Sequence, residues 1–329
     1  PPRSPPGFQR LMAATGPVVG IDLGGTNTLA CVMDDTGTIV ARTHRQTDAG
    51  RGPEAVMDTM SEAAQVACDE AGIDMDSITA MGVAVCGAVD HEAGIVLKTG
   101  ALDWTDIPLS EGLRNRLGRP VVLENDVNAA AWGEYRHGAG QGADGMLAAW
   151  VGTGIGGGIV LDGNLFHGPR GTAGELGQTM ADTTGAEPRI LEAIASRTGM
   201  RNLVAQRAAD HAGSSLLEAA GGDVDAIGTR HLADAFASGD PLGVEVGTIA
   251  ATVLGSALAN CVTLLSIDTI VVGGGMTEEL GEPWLDLVRA KFRDDVFPPQ
   301  AGDWCRIVRT ALEADAGLVG AAMLAADKG

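Results

Sequence analysis

Two glycine-rich turns, about 130 residues apart, have the composition of phosphate-binding sites. The first reads Asp22-Leu-Gly24-Gly25-Thr26-Asn27, and the second reads Gly152-Thr153-Gly154-Ile-Gly156-Gly157-Gly158. A turn that presents several backbone N–H groups to an anion needs close backbone approach and often a positive φ, which glycine adopts without steric cost. Threonine adds a hydroxyl donor to each turn. We interpret the two segments as copies of one phosphate-binding hairpin. No Gly-x-x-x-x-Gly-Lys-Ser/Thr sequence occurs, which excludes a Walker-type loop.

The charge balance around these turns points to a metal ion. The only lysines are Lys98, Lys291 and Lys328, so neutralisation of a phosphate would fall to a cation and to backbone dipoles. Asp22 stands directly before the first turn, where a carboxylate would repel a phosphate unless a cation intervened. We therefore expect Asp22 to position Mg²⁺ through a water molecule. The alternative is an aspartate in an ordinary hairpin.

A second chemical signal lies where a hydrophobic strand meets a helix, in Leu123-Glu-Asn125-Asp126. Side chains at such a junction face the crevice in which α/β proteins bind ligands. Asp126 could accept a proton from a substrate hydroxyl as its oxygen attacks a γ-phosphate, while Asn125 hydrogen-bonds a neighbouring hydroxyl. The competing interpretation is that Asp126 only caps the helix.

A third signal consists of two carboxylates, Glu175 in Gly171-Thr-Ala-Gly-Glu175 and Glu192 in Leu191-Glu192-Ala-Ile-Ala. One enters from a loop and the other from the start of a helix. Each could hold vicinal hydroxyls in bidentate fashion. Taken singly, both residue types are more often solvated at the surface, so the residues alone make them candidates only.

The elements that must position these groups form a repeated pattern. Three strands in quick succession, a helix and a fourth strand describe half of an α/β domain, predicted at 17–23, 28–33, 38–43, 52–71 and 78–85. A second copy is predicted to begin with the strand at Val121, followed by a helix at 127–135 and a hairpin at 145–161. An uncharged run at 248–267 has nearly the length of a membrane span, but its composition favours a buried core helix.

Composition limits the class of partner. The formal charge of −21 opposes binding to nucleic acid or to an anionic membrane, which needs clustered Lys and Arg. The five cysteines are scattered and never form Cys-x-Cys or Cys-x-x-Cys, as expected for reduced core residues. No signal peptide is visible, so we expect a cytoplasmic protein. The Pro-rich residues 1–16 are expected to be a disordered leader or a cloning remnant.

Seven motifs in order resemble the ROK family of repressors, open reading frames and kinases, most closely its bacterial, actinobacterial-type glucokinase branch. They cover 17–326 and read Asp22-Leu-Gly-Gly-Thr26, Glu124-Asn-Asp-Val-Asn128, Gly152-Thr-Gly-Ile-Gly-Gly-Gly158, Ala173-Gly-Glu-Leu-Gly177, Leu191-Glu-Ala-Ile-Ala-Ser196, Val272-Gly-Gly-Gly275 and Ala316-Gly-Leu-Val-Gly-Ala-Ala322.

The resemblance implies the actin-like, ribonuclease-H-like ATPase fold. Two α/β domains would close over a cleft, one at 17–124 joined by the C-terminal helix at 314–327, the other at 125–313. It also implies transfer of the ATP γ-phosphate to the primary hydroxyl of a hexose, and a homodimer. The roles it implies are Asp126 as catalytic base; Asn125, Glu175, Glu192, Gln178 and Gly87 at the sugar; Gly24, Gly25, Thr26, Asn27, Thr153, Gly154, Gly156 and Gly157 at phosphates; and Gly274 and Gly275 beside the adenosine.

Two departures from the family pattern lie near the sugar. Most members carry Gly-His and then a cysteine cluster that binds zinc, whereas this chain has Gly177-Gln178 and no cysteine up to Glu192. We therefore expect no zinc, with Gln178 offering an amide to a hydroxyl. Cys86 stands where proline is common.

These departures leave the acceptor open. Glucose is the first choice, and the alternatives are an amino sugar such as kanosamine, glucosamine or an N-acetylhexosamine, or a C7 cyclitol. Polyphosphate in place of ATP is also open. A sugar-sensing regulator is disfavoured because about 16 residues before the first strand are too few for a DNA-binding module. Intact Asp22 and Asp126 argue against a kinase that has lost its activity.

Overall fold

The computed structural model describes residues 16–184 and 187–328. The predicted leader, Gly16 apart, lies outside these residues, as do Gly185 and Ala186. The strands are β1 (Val18–Leu23), β2 (Asn27–Met33), β3 (Ile39–Gln46), β4 (Met81–Val85), β5 (Ala88–Asp90), β6 (Ile95–Thr99), β7 (Trp104–Ile107), β8 (Val121–Asn125), β9 (Gly145–Val151), β10 (Ile155–Leu161), β11 (Asn164–Leu165), β12 (Met180–Asp182), β13 (Arg189–Ile190), β14 (Thr269–Gly273) and β15 (Arg306–Arg309). The helices are α1 (Pro53–Ala71), α2 (Leu109–Leu117), α3 (Asp126–His137), α4 (Glu192–Ala195), α5 (Arg197–Arg207), α6 (Ser215–Ala219), α7 (Thr229–Ser238), α8 (Pro241–Leu265), α9 (Gly275–Asp295), α10 (Ala301–Trp304) and α11 (Ala316–Lys328).

Two five-stranded sheets repeat one topology. Their strand orders are β3-β2-β1-β4-β8 and β11-β10-β9-β14-β15. In each, three consecutive strands pair antiparallel, and two later strands add in parallel on the other side of the first. Each glycine turn joins the first two strands of its sheet. The predicted duplication is therefore confirmed at the level of the sheets.

The second copy begins later than the sequence pattern suggested. We expected the strand at Val121 to open it, but β8 pairs in parallel with β4, with Leu123 opposite Val83, and completes the first sheet. The chain divides accordingly into two compact units. One contains the residues up to Arg136 and those from Asp315 onward, and the other contains His137–Ala314.

Helix α11 packs on the first sheet at backbone contact distance. A Cβ added to Gly20 in β1 would lie 2.7 Å from the carbonyl oxygen of Leu318, and one added to Gly82 in β4 would overlap the carbonyl of Ala321. Two glycines in the strands, facing a helix of small residues, permit this approach. The helix thereby packs against β1, the strand that carries Asp22 near its end.

The apolar helix α8 belongs to the core of the second unit. Asp240 caps its N-terminus by accepting a hydrogen bond from Gly243 N at 2.9 Å. Its inner face buries Leu242, Val246 and Leu254 in the same cluster as Trp284 of α9. Among the described residues it is the one helix long and apolar enough to cross a membrane, and its buried face agrees with the predicted core helix.

Candidate functional site

The first glycine turn leaves two adjacent backbone donors available. Gly24 N donates to Asn27 O at 2.9 Å, which closes the turn. The Thr47 hydroxyl, on the segment after β3, donates to Gly24 O at 2.7 Å and fixes the turn from the side. Within the described part of the chain, the N–H groups of Gly25 and Thr26 have no hydrogen-bond partner. Two neighbouring free N–H groups in a fixed turn are what an anion requires.

The second turn repeats this arrangement. Gly152 N donates to Gly154 O at 2.9 Å, and Arg197 N donates to Gly152 O at 2.9 Å from the start of α5. The N–H groups of Thr153 and Gly154 likewise lack a partner among the residues that the structure describes. Each sheet therefore presents one turn with two consecutive free donors, although different elements fix the two turns.

Glu192 contacts the second turn directly. Its Oε2 accepts a hydrogen bond from Ile155 N at 2.7 Å. A Cβ added to Gly154 would collide with this carboxylate, so a side chain there would displace Glu192 from its present position. Glu192, which was predicted to bind the sugar, therefore also contacts the second glycine turn. The sequence did not indicate this contact.

Asn125 fixes Asp126 at the junction of β8 and α3. Asn125 Oδ1 accepts hydrogen bonds from Val127 N at 2.9 Å and Asn128 N at 3.1 Å, so the capping role falls to Asn125. Its Nδ2 donates to Gly87 O at 3.0 Å and to Asp126 Oδ1 at 2.9 Å. Because both ends of the Asn125 amide are used within the chain, its contact with a substrate hydroxyl stays a prediction.

A buried carboxylate behind this junction was missed by the sequence reasoning. Glu124 is 3% exposed. Its Oε1 accepts from Asn125 N at 2.9 Å and from Asn128 Nδ2 at 3.0 Å. Glu124 and Asn128 thereby join the last residue of the strand to the first turn of the helix, on either side of Asp126.

Asp22 and Asp126 lie at the same edge of the first sheet. Strands β1 and β8 both run parallel to β4 and flank it, so their carboxyl ends meet at that edge. Burial, together with the negative charge of Asp126, raises the pKa of Asp22 to about 7. Burial also raises the pKa of Asp126. A Cβ added to Gly317 in α11 would lie 3.0 Å from Asp22 Oδ2, so helix α11 packs closely against this carboxylate.

These two carboxylates fit Mg²⁺ as it is held in phosphotransfer sites. A neighbouring cation relieves the repulsion that raises the pKa of one carboxylate beside another. Mg²⁺ takes one or two carboxylates and completes its shell with water and substrate phosphate oxygens. In the described ranges no group of three or more His, Cys, Asp or Glu could hold a metal ion, so an all-protein cage is not offered there.

We expect the variant Asp22→Asn to be more stable than the wild type at neutral pH without Mg²⁺ and nucleotide. The pKa of Asp22 is about 7 in the folded protein against an ordinary 3.8, so folded protein binds more protons and loses stability as pH rises through this window. The excess free energy of unfolding should approach about 2–4 kcal/mol at pH 8 and be much smaller at pH 4. Urea denaturation in EDTA at both pH values checks this. A difference independent of pH would contradict it.

The segments that carry the sugar-site candidates of the second unit are joined by a hairpin. Glu175 and Gln178 are exposed and precede strand β12, and Glu192 begins the helix after strand β13. Strands β12 and β13 pair antiparallel, and Leu191 N donates to Thr179 O at 2.8 Å. The structure therefore places Glu175 and Gln178 just before this hairpin and Glu192 just after it.

An ion pair links the two strands of this hairpin, in the segment where most family members are expected to carry a cysteine cluster. Arg189 Nη2 donates to Asp182 Oδ2 at 2.7 Å, and the Thr184 hydroxyl donates to Asp182 Oδ1 at 2.7 Å. These bonds hold the pKa of Asp182 well below its usual range. Asp182 is therefore negatively charged at neutral pH, as its bond to Arg189 requires.

Two of the other predicted glycines, Gly87 and Gly274, occupy strained and crowded positions. Gly87 follows β4 with φ at +122°, and Gly274 follows β14 with φ at +88°. A Cβ on Gly274 would lie 2.6 Å from Val151 O, and one on Gly87 would overlap Lys98 O. Gly275 opens α9, and Gly156 and Gly157 lie in β10. Glycine is therefore required at 87 and 274 by backbone conformation and by space.

Comparison with known proteins gives a consistent result. The model of the ROK family matches residues 18–328. A glucokinase of Streptomyces coelicolor is 33% identical over 320 residues, covering 94% of this chain and 98% of the relative. An N-acetylmannosamine kinase of Escherichia coli is 31% identical, with 93% and 97% covered.

The structural similarity also covers nearly the whole chain. The crystal structure of a ROK family glucokinase from Streptomyces griseus, in complex with glucose and AMPPNP, superimposes with a TM-score of 0.77 at 36% identity, covering 95% of this chain and all of that one. The predicted actin-like α/β fold is confirmed by this likeness and by the two repeated sheets. The chain belongs to the ROK family.

Proposed function

We propose that the protein is an ATP-dependent sugar kinase that transfers the γ-phosphate to the primary hydroxyl of a hexose, with glucose as the preferred acceptor. One observation carries this proposal. Asp126 stands at the end of β8, its pKa is raised by burial, and the amide of Asn125 holds its carboxylate at 2.9 Å. A fixed carboxylate with a raised pKa is suited to take the proton of an attacking hydroxyl.

Within this proposal, Asp126 binds and deprotonates the sugar hydroxyl as its oxygen attacks the γ-phosphorus. The free N–H groups of the two glycine turns bind phosphate oxygens without reorganising. Asp22 would position Mg²⁺, and the bound ion would supply positive charge against the charge that develops on the phosphates. Glu175, Glu192 and Gln178 bind the remaining sugar hydroxyls, and Gly274 and Gly275 lie against the adenosine.

Amino sugars remain the second class of acceptor. Relatives are named both glucokinase and N-acetylmannosamine kinase, and Gln178 supplies a neutral amide at the sugar. A coupled ADP-release screen with ATP and Mg²⁺ should cover glucose, mannose, glucosamine, N-acetylhexosamines, kanosamine and C7 cyclitols, with polyphosphate replacing ATP in a parallel arm. We expect the highest kcat/KM with glucose and ATP. Release of no ADP with any acceptor would contradict the kinase assignment, and a higher value for another acceptor would replace glucose.

Asn128 is expected to act as a positioning residue. In Asn128→Ala the Oε1 atom of buried Glu124 loses one of its two donors at the junction, so the strand end beside Asp126 is held less firmly. We expect kcat to fall about 10-fold, equivalent to one net hydrogen bond, while KM for sugar and ATP changes less than twofold. Asn260→Ala, on the exposed face of helix α8, serves as control. An unchanged kcat would refute this role.

The assembly and metal content complete the proposal. We propose a cytoplasmic homodimer that uses Mg²⁺ and contains no structural zinc. Sedimentation equilibrium should give twice the chain mass. Metal analysis of purified protein should find no stoichiometric zinc, and finding it would overturn the interpretation of residues 177–192.

A further inference from the structure

Arg197 lies against the second glycine turn and has no role in the predicted site. It is the first residue of α5, whose N-terminus is capped by the buried Ser196 through Gly199 N at 3.0 Å. Arg197 N donates to Gly152 O at 2.9 Å, and its Nη2 donates to Thr153 Oγ1 at 2.7 Å. The Thr198 hydroxyl also donates to Thr153 O at 2.9 Å, so the start of the helix is hydrogen-bonded to the turn at three points, one of them the guanidinium.

The guanidinium of Arg197 has no ion-pair partner among the residues that the structure describes. No described carboxylate forms an ion pair with Arg197, whereas Arg201 and Arg207 on the same helix pair with Asp225 and Glu245. Arg197 therefore has a charge available next to a turn with two free N–H groups. This arrangement suits the binding of an anionic ligand, with which the guanidinium would form an ion pair.

The turn itself gives a reason for this charge. Glu192 places a carboxylate on Ile155 N, immediately beside the free N–H of Gly154. A phosphate that approached these donors would be repelled by that carboxylate. Arg197, on the other side of Thr153, offsets this repulsion.

Arg197 also sets the direction of the Thr153 hydroxyl. A guanidinium can only donate hydrogen bonds, so Thr153 Oγ1 is the acceptor and keeps its own proton for another partner. The turn then offers two N–H groups, one hydroxyl proton and the remaining N–H groups of the guanidinium.

We propose that Arg197 is a phosphate-binding residue of the kinase, contacting the polyphosphate chain of ATP together with Thr153. This inference rests on the proposed function. In it, the arginine adds positive charge to that of the metal ion and the backbone dipoles expected at the phosphates.

The test compares Arg197→Ala and Arg197→Lys with wild type. Both variants keep the backbone bond to Gly152, so the turn stays fastened. Initial rates should give a KM for ATP raised about 10- to 100-fold in Arg197→Ala, the range of a hydrogen bond to a charged group, with KM for sugar changed less than twofold. Arg197→Lys should recover most of the loss. Arg201→Ala, one turn along the helix, should leave all constants unchanged.

Calorimetry separates phosphate binding from a structural role and from the proposed function. Arg197→Ala should weaken ADP and AMPPNP binding but leave adenosine binding unchanged. Equal loss for adenosine would indicate a general disturbance of the nucleotide site and would contradict a phosphate contact, and unchanged ADP affinity would overturn the proposal. If wild type binds nucleotide but phosphorylates no sugar, the proposed function fails while this binding test still decides the role of Arg197.

Discussion

Asp126→Asn is expected to lower kcat by about 10²–10⁴-fold, the usual contribution of a general base. The amide keeps the size of the carboxylate but cannot accept the hydroxyl proton. Sugar affinity should change little, because the bonds that Asn125 makes to Gly87 and to the helix start do not depend on the Asp126 charge. Rates over a range of both substrates, with sugar binding measured by calorimetry, check this prediction.

Two observations would decide against this role of Asp126. A kcat within tenfold of wild type would remove the general base from the mechanism. A loss of sugar affinity as large as the loss of kcat would assign Asp126 to binding instead. Asp35→Asn, in the exposed turn after β2, is the matched control and should leave both quantities unchanged.

Glu192→Ala is expected to impair the use of both substrates, whereas Glu175→Ala impairs only the sugar. Glu192 accepts a hydrogen bond from Ile155 N at 2.7 Å. Removing the carboxylate should make the second glycine turn less rigid and should also remove a group that binds the sugar. Glu175 is exposed and has no bond to the turn. We expect KM for sugar to rise about 10- to 100-fold in both variants, and KM for ATP to rise comparably only in Glu192→Ala.

Steady-state kinetics with each substrate varied distinguishes the two glutamates. Glu218→Ala, on an exposed position of α6, is the control. If Glu192→Ala left KM for ATP unchanged, the contact with Ile155 would have no consequence for the nucleotide, and the double role of Glu192 would be wrong.

Local patterns predicted the repeated sheets because the hairpins and their glycine turns are short-range features. Strands β1, β9 and β14 are apolar runs with a glycine at or directly after their carboxyl ends, and α8 is apolar along its inner face. The small sheet β5–β7 was not predicted, since strands of three to five residues carry little alternation. The assignment of β8 to the first sheet also needed its pairing with β4, a long-range contact that no local pattern contains.

The candidate site, like the fold, was predicted only where its residues stand in local sequence motifs. The motifs that contain Asp22, Asp126 and the glycines indicate phosphate binding and proton transfer by their residue types alone. Thr47, Glu124 and Arg197 were missed because their roles come from contacts with residues elsewhere in the fold. Arg197, for example, meets Thr153 across 44 positions of sequence. Its only local signal is Ser196 as a helix cap, which predicts a helix start but not what lies against it.

The central claim is a sugar phosphorylation that depends on Asp126. Incubation of wild-type protein with glucose, ATP and Mg²⁺, followed by ³¹P NMR of the products, tests it most directly. We predict one hexose 6-phosphate for each ADP formed, with no sugar phosphate from Asp126→Asn over the same period. ADP without a sugar phosphate, or equal product from the variant, would contradict the account.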